Sequence, residues 1–431
     1  MKMTEEKKKI KITTFTAFKS RNYRLYFIGQ SISLIGTWMQ KTAVSWVIYS
    51  LTHSKFMLGF SLFASMFPSF VFSFIGGATA DRYNRYKLLL ITQVASMIQA
   101  VLLTLLIISN HYNVWAILSL SFILGVINAF DVPARQSLVN ELIEDKRYLG
   151  NALALNSSMV NLSRLIGPAI AGFILEKFGD VFCFGLNAFS FIAVITSILL
   201  MKLPAQKVQH HAKNILQDMK DGWNYLRQVK ELKFVISMLG LIALFVLPYS
   251  TLIAVYAKDI FKGTASTFGI IDSMVGLGAF GGAMFLASLK PGSNLRKVLA
   301  VNTILFGTGL VLFSHMHYYP LALACAMLTG FGMMSQVTIT NTLVQTTVDP
   351  NMRGRMISFY AMAFFGMQPL GGLIVGSVSQ LIGVPNTVLA EGCIALLIGA
   401  LHFRFLKRNK LQVINKTNMQ HQPQTVEVAT S

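Results

Sequence analysis

Charge is what this sequence has least of. Asp, Glu, Lys and Arg supply 13% of its 431 residues, about half the share in an ordinary soluble domain, so water cannot be the solvent for most of the chain. Acids are scarcest, 17 against 37 Lys and Arg. The few cysteines, Cys183, Cys325 and Cys393, stand at unrelated spacings inside hydrophobic runs, which suggests neither a disulfide framework nor a metal site. There is no Gly-x-x-x-x-Gly-Lys loop, no His-Glu-x-x-His helix and no Gly-x-Ser-x-Gly elbow. An enzyme is therefore not expected, and neither is a bound cofactor. A cleavable signal is also missing: residues 1–24 hold Lys2, Lys7, Lys8, Lys9, Lys11, Lys19, Arg21 and Arg24 and lead straight into an apolar run.

What is present is apolar sequence in lengths that match a bilayer. Segments 56–80, 181–201 and 234–257 are free of charge, and 88–130, 298–348 and 356–390 are free of charge over lengths that fit two helices around a turn. A span needs about 20 apolar residues at 1.5 Å rise each. Alternation of apolar and polar residues over about ten positions, the mark of a membrane β-barrel, is absent. The pattern predicts an all-α membrane protein of twelve transmembrane helices, at 24–51, 56–80, 87–109, 114–137, 149–176, 181–202, 232–260, 266–289, 296–314, 320–347, 354–381 and 386–406. Their grouping gives a basic arm (1–23), an N-terminal six-helix bundle (24–202), a linker (203–231), a C-terminal six-helix bundle (232–406) and a disordered tail (407–431). Within the linker, Ile215, Leu216, Met219, Trp223 and Leu226 recur at helical spacing. That helix either lies on the membrane surface or is a solvated connector.

The basic excess marks topology, not nucleic acid. Most Lys and Arg fall at the two ends and in the even-numbered connections, while only Lys55, Lys177, Lys258 and Lys262 lie on the other side. This is the positive-inside pattern of a multi-pass protein of the bacterial inner membrane with both termini in the cytoplasm. The halves also repeat: Gly76-Gly77 matches Gly281-Gly282, Gly125 matches Gly330, and, after a one-residue slip, Gly167, Gly172 and Gly179 match Gly371, Gly376 and Gly383. A duplicated six-span unit points to two pseudo-symmetric bundles rocking about a site near the midplane.

One motif is sharp. Gly77-Ala78-Thr79-Ala80-Asp81-Arg82-Tyr83-Asn84-Arg85-Tyr86-Lys87 resembles the loop motif Gly-x-x-x-Asp-Arg-x-Gly-Arg-Arg/Lys of the major facilitator superfamily, with Asn84 where glycine is usual; Asn tolerates a left-handed backbone. The stretches 23–30, 35–40, 129–136 and 161–168 resemble the branch that holds the enterobactin exporter and drug and macrolide efflux proteins. Ser163 to Gly172 resembles the antiporter motif of the fifth span, retaining Gly167, Pro168 and Gly172. The resemblance implies the major facilitator fold, export by proton antiport, and a small-molecule cargo such as a siderophore or a drug-like amphiphile. A monomer embedded in lipid is expected, with the proton gradient as energy source. Lysophospholipid transport, and a sensor or scaffold that moves nothing, stay open as alternatives. For the loop motif, it implies that Asp81 latches against the amino end of the eleventh span near Arg353 to Arg355, and that Arg82 or Arg85 meets Glu141 or Glu144, with Gly77 and Lys87 completing the loop.

Charges within spans each need a reason, since one at a helix centre costs about 2.5–3.5 kcal/mol on insertion scales. Asp131, Arg135, Arg164, Asp272 and Glu391 are the candidates for proton coupling. Asp131 either carries the proton or is held in an ion pair by Arg135 or Arg164. Glu391 is either a proton site or a structural residue. Lys41 lies about 25 Å along the first span at 1.5 Å per residue. It either gives the cavity a positive excess suited to an anionic siderophore or is neutralised by Asp131 or Asp272. Gln40, Asn128, Asn156, Gln336, Asn341 and Gln368 complete the candidate cavity lining; some of them are expected to bond neighbouring helices instead.

Overall fold

In a computed structural model, which describes residues 15–109, 112–202, 215–290 and 292–420, the chain is helical throughout, with no strand among the described residues. The N-terminal half comprises α1 (Arg21–Thr52), α2 (Lys55–Arg82), α3 (Arg85–Ile108), α4 (Val114–Val139), α5 (Leu149–Lys177) and α6 (Asp180–Leu199). A linker helix, α7 (Ile215–Gln228), precedes α8 (Lys230–Ile260), α9 (Ala265–Ser288), α10 (Leu295–Ser314), α11 (Tyr319–Thr347), α12 (Arg353–Ile382) and α13 (Val384–Gln420). Among the described residues, eleven segments are long and apolar enough to cross a membrane. The remaining expected span, α1, has 32 residues but carries more polar side chains, and it is packed against α5 and α6.

Polar residues at the connections start these helices. Ser54, Asn84, Asn113 and Asn294 each accept a hydrogen bond from a backbone N–H of the following first turn, satisfying donors that would otherwise be lost at a helix end. Asn84 has φ −62° and caps α3, so its value is its side-chain acceptor and not the left-handed backbone expected of it. Gly179 and Gly383, matched in the internal repeat, have φ +82° and +83° just before α6 and α13. Both connections need a backbone that favours glycine.

Two spans depart from regular helix. In α8, Pro248 removes a donor, and the chain passes through a 3-10 stretch, Leu247–Leu252, and a π-turn, Tyr256–Ile260. In α12 a π-turn occupies Met362–Gly366. The last helix continues past 407, where a disordered tail was expected, to Gln420. The linker helix is docked: Leu226 is buried with Met356 and Tyr360 of α12, and Trp223 lies 6.1 Å from the Phe359 ring. Residues 203–214 and 421–431 of the expected linker and tail, and the side chains of Ile215 and Leu216, lie outside the described residues.

Within the first half α1 packs on α5 and α6, and α3 and α2 pack on α4; in the second, α9 and α10 pack on α11, and α10 packs on α13. The halves meet along α5 with α9 and α2 with α12. Small residues permit this: a Cβ on Gly59 of α2 would stand 2.0 Å from the Gly372 carbonyl oxygen of α12, and one on Gly269 of α9 would stand 2.3 Å from that of Pro168 on α5. Backbones touching across helices replace the hydrophobic drive that lipid cannot supply.

These contacts are strongest at the face away from the chain ends. There Lys258 donates to Ser50 at 3.0 Å, Gln380 to Ser54 at 2.9 Å and Thr264 to Glu176 at 2.6 Å, and the Tyr49 hydroxyl donates to Asp259, each joining the two halves. At the basic face the ion pairs among the described residues include Arg85 with Glu141, Arg296 with Glu231, and Arg355 with Asp221 of α7. Among the described residues, the polar bonds near a surface that join the two halves lie at the opposite face. Gly59→Ala should force α2 and α12 apart. In a background lacking Cys183, Cys325 and Cys393, Ser54→Cys should then react faster with a membrane-impermeant thiol reagent from the opposite face; an unchanged rate would show that this contact does not hold the face shut.

Candidate functional site

The intramembrane charges separate into three groups. Asp131 on α4 is 4% exposed, and one carboxylate oxygen accepts from Thr92 at 2.9 Å and from Gln93 at 2.7 Å, both on α3. The other faces Arg135 at 3.5 Å, one turn along α4. Asp131 thus points into the α3–α4 pair, and the ion pair with Arg135 is formed. An acid with a cation and two donors around it has its negative charge satisfied.

The second group occupies the space between the halves. Trp38 on α1 stands with the Lys41 ammonium 4.8 Å and the Arg164 guanidinium 5.6 Å from its ring. Their spacing of three residues brings Trp38 and Lys41 to one side of α1. Arg164 on α5 also donates to the Met333 sulfur on α11 at 3.6 Å. Asp272 on α9 is the acid whose charge acts on Lys41, with Arg164 the other neighbouring charge. No ion pair within 4.0 Å joins Asp272 to either cation among the described residues. Lys41 is enclosed by protein yet exposed to open space. A central chamber thus holds two cations, one acid and an indole face between them, an arrangement suited to an anion with an aromatic or planar part.

The third group is Glu391 on α13. It is 2% exposed, and neither carboxylate oxygen has a hydrogen-bond partner.

Several expected cavity residues serve the helices instead. Gln40 accepts from Asn187 of α6 at 2.6 Å and donates to Gln99 of α3 at 3.2 Å. This three-amide chain crosses the N-terminal half. Gln336 is 1% exposed and accepts from Thr303 of α10 at 2.6 Å. Asn156 accepts from Tyr26 at 3.3 Å, and Asn341 from Gln345 at 2.9 Å. Asn128 and Gln368 are half-buried. Sequence reasoning missed Trp38, Thr92, Gln93, Gln99 and Asn187. Polar side chains in the otherwise apolar third and sixth spans were the available signal for four of them.

In the loop between α2 and α3, Arg85 pairs with Glu141 at 2.5 Å, as the motif implied. Asp81 does not reach the start of α12: its side chain is 76% exposed and lies 3.7 Å from Arg85. Glu144 is exposed. The expected latch is not formed. The α5 motif does join the halves, since Pro168 and Gly172 lie against Gly269, while Gly167 packs against Trp38.

With this geometry in hand, comparison with known proteins is decisive at the level of family. The model of the family described as transmembrane secretion effector matches residues 12–430. The chain belongs to that family. It is a multi-pass membrane transporter with the major facilitator fold, and its likeness to the efflux branch holds along the chain. The staphyloferrin A transporter of Staphylococcus aureus is 25% identical, covering 90% of this chain and 97% of that one. Macrolide efflux protein A of Streptococcus pyogenes is 22% identical over 88% of this chain and 96% of its own. The enterobactin exporter of Shigella flexneri is 26% identical over 88% of this chain and 90% of its own. Among solved structures, a POT family transporter in complex with 5-aminolevulinic acid superposes with a TM-score of 0.73 at 13% identity, covering 90% of this chain and 96% of that one.

Because Asp131 is held by Arg135, Thr92 and Gln93, Asp131→Asn should act on folding. Breaking a buried pair costs about 3–5 kcal/mol, and the loss should fall below that range because Arg135 reaches the surface. Melting of the purified transporter should drop accordingly, while any remaining export stays sensitive to uncoupler. Unchanged melting together with lost uncoupler sensitivity would return Asp131 to the role of proton carrier.

Proposed function

We propose that this transporter exports an anionic small molecule, a siderophore or drug-like compound, from the cytoplasm by alternating access, with inward proton flow as the drive. The observation that carries this reading is the chamber in which Lys41 and Arg164 flank Trp38 and outnumber Asp272. The Asp131–Arg135 pair cancels itself, so the local excess is positive and favours carboxylate or catecholate groups. The names of the relatives support export of siderophore- or drug-type cargo. The basic face is taken as cytoplasmic from the distribution of Lys and Arg; with the halves bonded to each other at the opposite face, the state is read as inward-facing, ready to receive cargo from the cell.

Electrostatics restricts how protons could drive such export. Each elementary charge crossing 100 mV is worth about 2.3 kcal/mol, so a proton moving in and an anion moving out both run downhill electrically. Yet a proton bound to Asp272 would strengthen anion binding beside it, which favours joint binding and not exchange. Antiport is better served by an acid set apart from the cargo, acting through conformation.

Uptake into inverted membrane vesicles of a panel of iron-free siderophores and cationic dyes, with and without uncoupler, tests the reading. Lys41→Gln should weaken binding of an anionic siderophore about tenfold or more, since a hydrogen bond to a charged group is worth about 1.5–3 kcal/mol, and leave a cationic dye unaffected or better bound. Tighter anion binding in the variant would overturn the proposed cargo charge.

A further inference from the structure

Glu391 lies seven residues into α13 from the opposite face, about 10 Å at 1.5 Å per residue. Its surroundings are dry and closely packed. On one side of it the backbones of α10 and α13 touch, with Gly392 against the Gly307 oxygen. On the other, its neighbours Val388 and Ala395 share a buried cluster with Phe306, Tyr249 and Tyr256. A carboxylate left there without a donor would be far costlier than a neutral acid. The group therefore carries a proton in this state.

One tyrosine shares the buried cluster that reaches from this acid toward the chamber. Tyr249 sits in the 3-10 stretch that interrupts α8. It is 2% exposed, its hydroxyl has no partner, and it belongs to the same buried cluster as Ile271 and Val275, the neighbours of Asp272 on α9. The charges that act on its hydroxyl are Arg164 and Asp272 of the chamber and Glu391. Tyr256, also near Glu391, is committed to the Ser314 carbonyl at 2.6 Å. The packed helices α10 and α12 bring no titratable side chain to this depth, and His402 stands three turns further along α13. A break in α8 gives Tyr249 a backbone able to shift when the halves rock, as discontinuous transporter helices do.

We propose that Glu391 is the proton-carrying acid of this transporter, loaded from the nearby opposite face and unloaded into the central chamber through the Tyr249 hydroxyl. This rests on the proton-driven reading above and supplies the separate proton site it calls for. In unloading, the Glu391 O–H bond breaks and its proton passes to the Tyr249 oxygen as the tyrosine's own proton moves to the Asp272 carboxylate. Glu391 is left as a carboxylate, Tyr249 unchanged and Asp272 as an acid that releases its proton to water in the chamber. No electrons are exchanged. Here the Tyr249 hydroxyl bonds neither acid, so the proton is held; the transfer waits for the α8 break to move.

Infrared spectroscopy of the purified full-length protein tests this without knowledge of the cargo. At neutral pH the parent should show the carbonyl band of a protonated carboxylic acid that is lost in Glu391→Gln and kept in Asp272→Asn. Tyr249→Phe should keep the band but slow its exchange in heavy water several-fold. Persistence of the band in Glu391→Gln overturns the assignment of the acid, and exchange at the parental rate in Tyr249→Phe overturns the route. Size-exclusion profiles and melting confirm that these near-isosteric variants are folded. Export of iron-free enterobactin by inverted vesicles separates the two levels: parental export that ignores uncoupler defeats the proton-driven reading even if the band behaves as expected, whereas uncoupler-sensitive export that survives unchanged in Glu391→Gln defeats the role given to Glu391.

Discussion

A charge inside a bilayer must have a partner, a wet space or a proton, and the placement of every ionisable group between the two faces of this transporter follows from that constraint. Asp131 takes the first solution, with Arg135 beside it and two α3 side chains donating to it. Lys41, Arg164 and Asp272 take the second, lining a chamber between the halves. Glu391 takes the third. A pair is inert, because its field cancels. A wet group of unbalanced charges is receptive to ions, and a dry acid can hold a proton away from them. One physical rule thus gives three different environments for intramembrane charge.

The same solvent dictates how the halves are joined. Lipid provides no hydrophobic drive between helices, so contact relies on backbone approach at glycine and on polar bonds near the surface. Gly59 against Gly372 and Gly269 against Pro168 give two close-fitting seams, one on each side of the chamber. Hydrogen bonds such as Lys258 to Ser50 and Gln380 to Ser54 secure their ends at the opposite face. Nothing in a seam of small residues forbids a rocking motion, and few large side chains need to repack. The loop carrying Asp81 lies at the basic face, where Arg85 binds Glu141 within one half.

Much of the architecture was legible because lipid enforces simple rules. A charge-free run of twenty residues has to be a helix, since backbone groups must be satisfied within the segment. Repeated glycines exposed the duplication, and Gly179 and Gly383 share a left-handed backbone as their match implied. Polar residues within spans identified where chemistry could occur. Their identity did not say which way each pointed. Gln40 and Gln336 turn to neighbouring helices, and Asp131 turns to α3, because rotation of a helix about its axis is decided by packing and by the nearest available donor.

The sequence by itself determined the span pattern, the repeat, the loop motif and the presence of a few expensive charges, because each is a property of composition along one segment. Only the tertiary structure decided that Arg135 neutralises Asp131, that Trp38 is shared by Lys41 and Arg164, and that Tyr249 shares a buried cluster with the neighbours of Asp272 and of Glu391. These are relations between helices far apart in the chain. Electrostatic energy falls with distance in space, and distance along the sequence carries no information about it until the helices are packed.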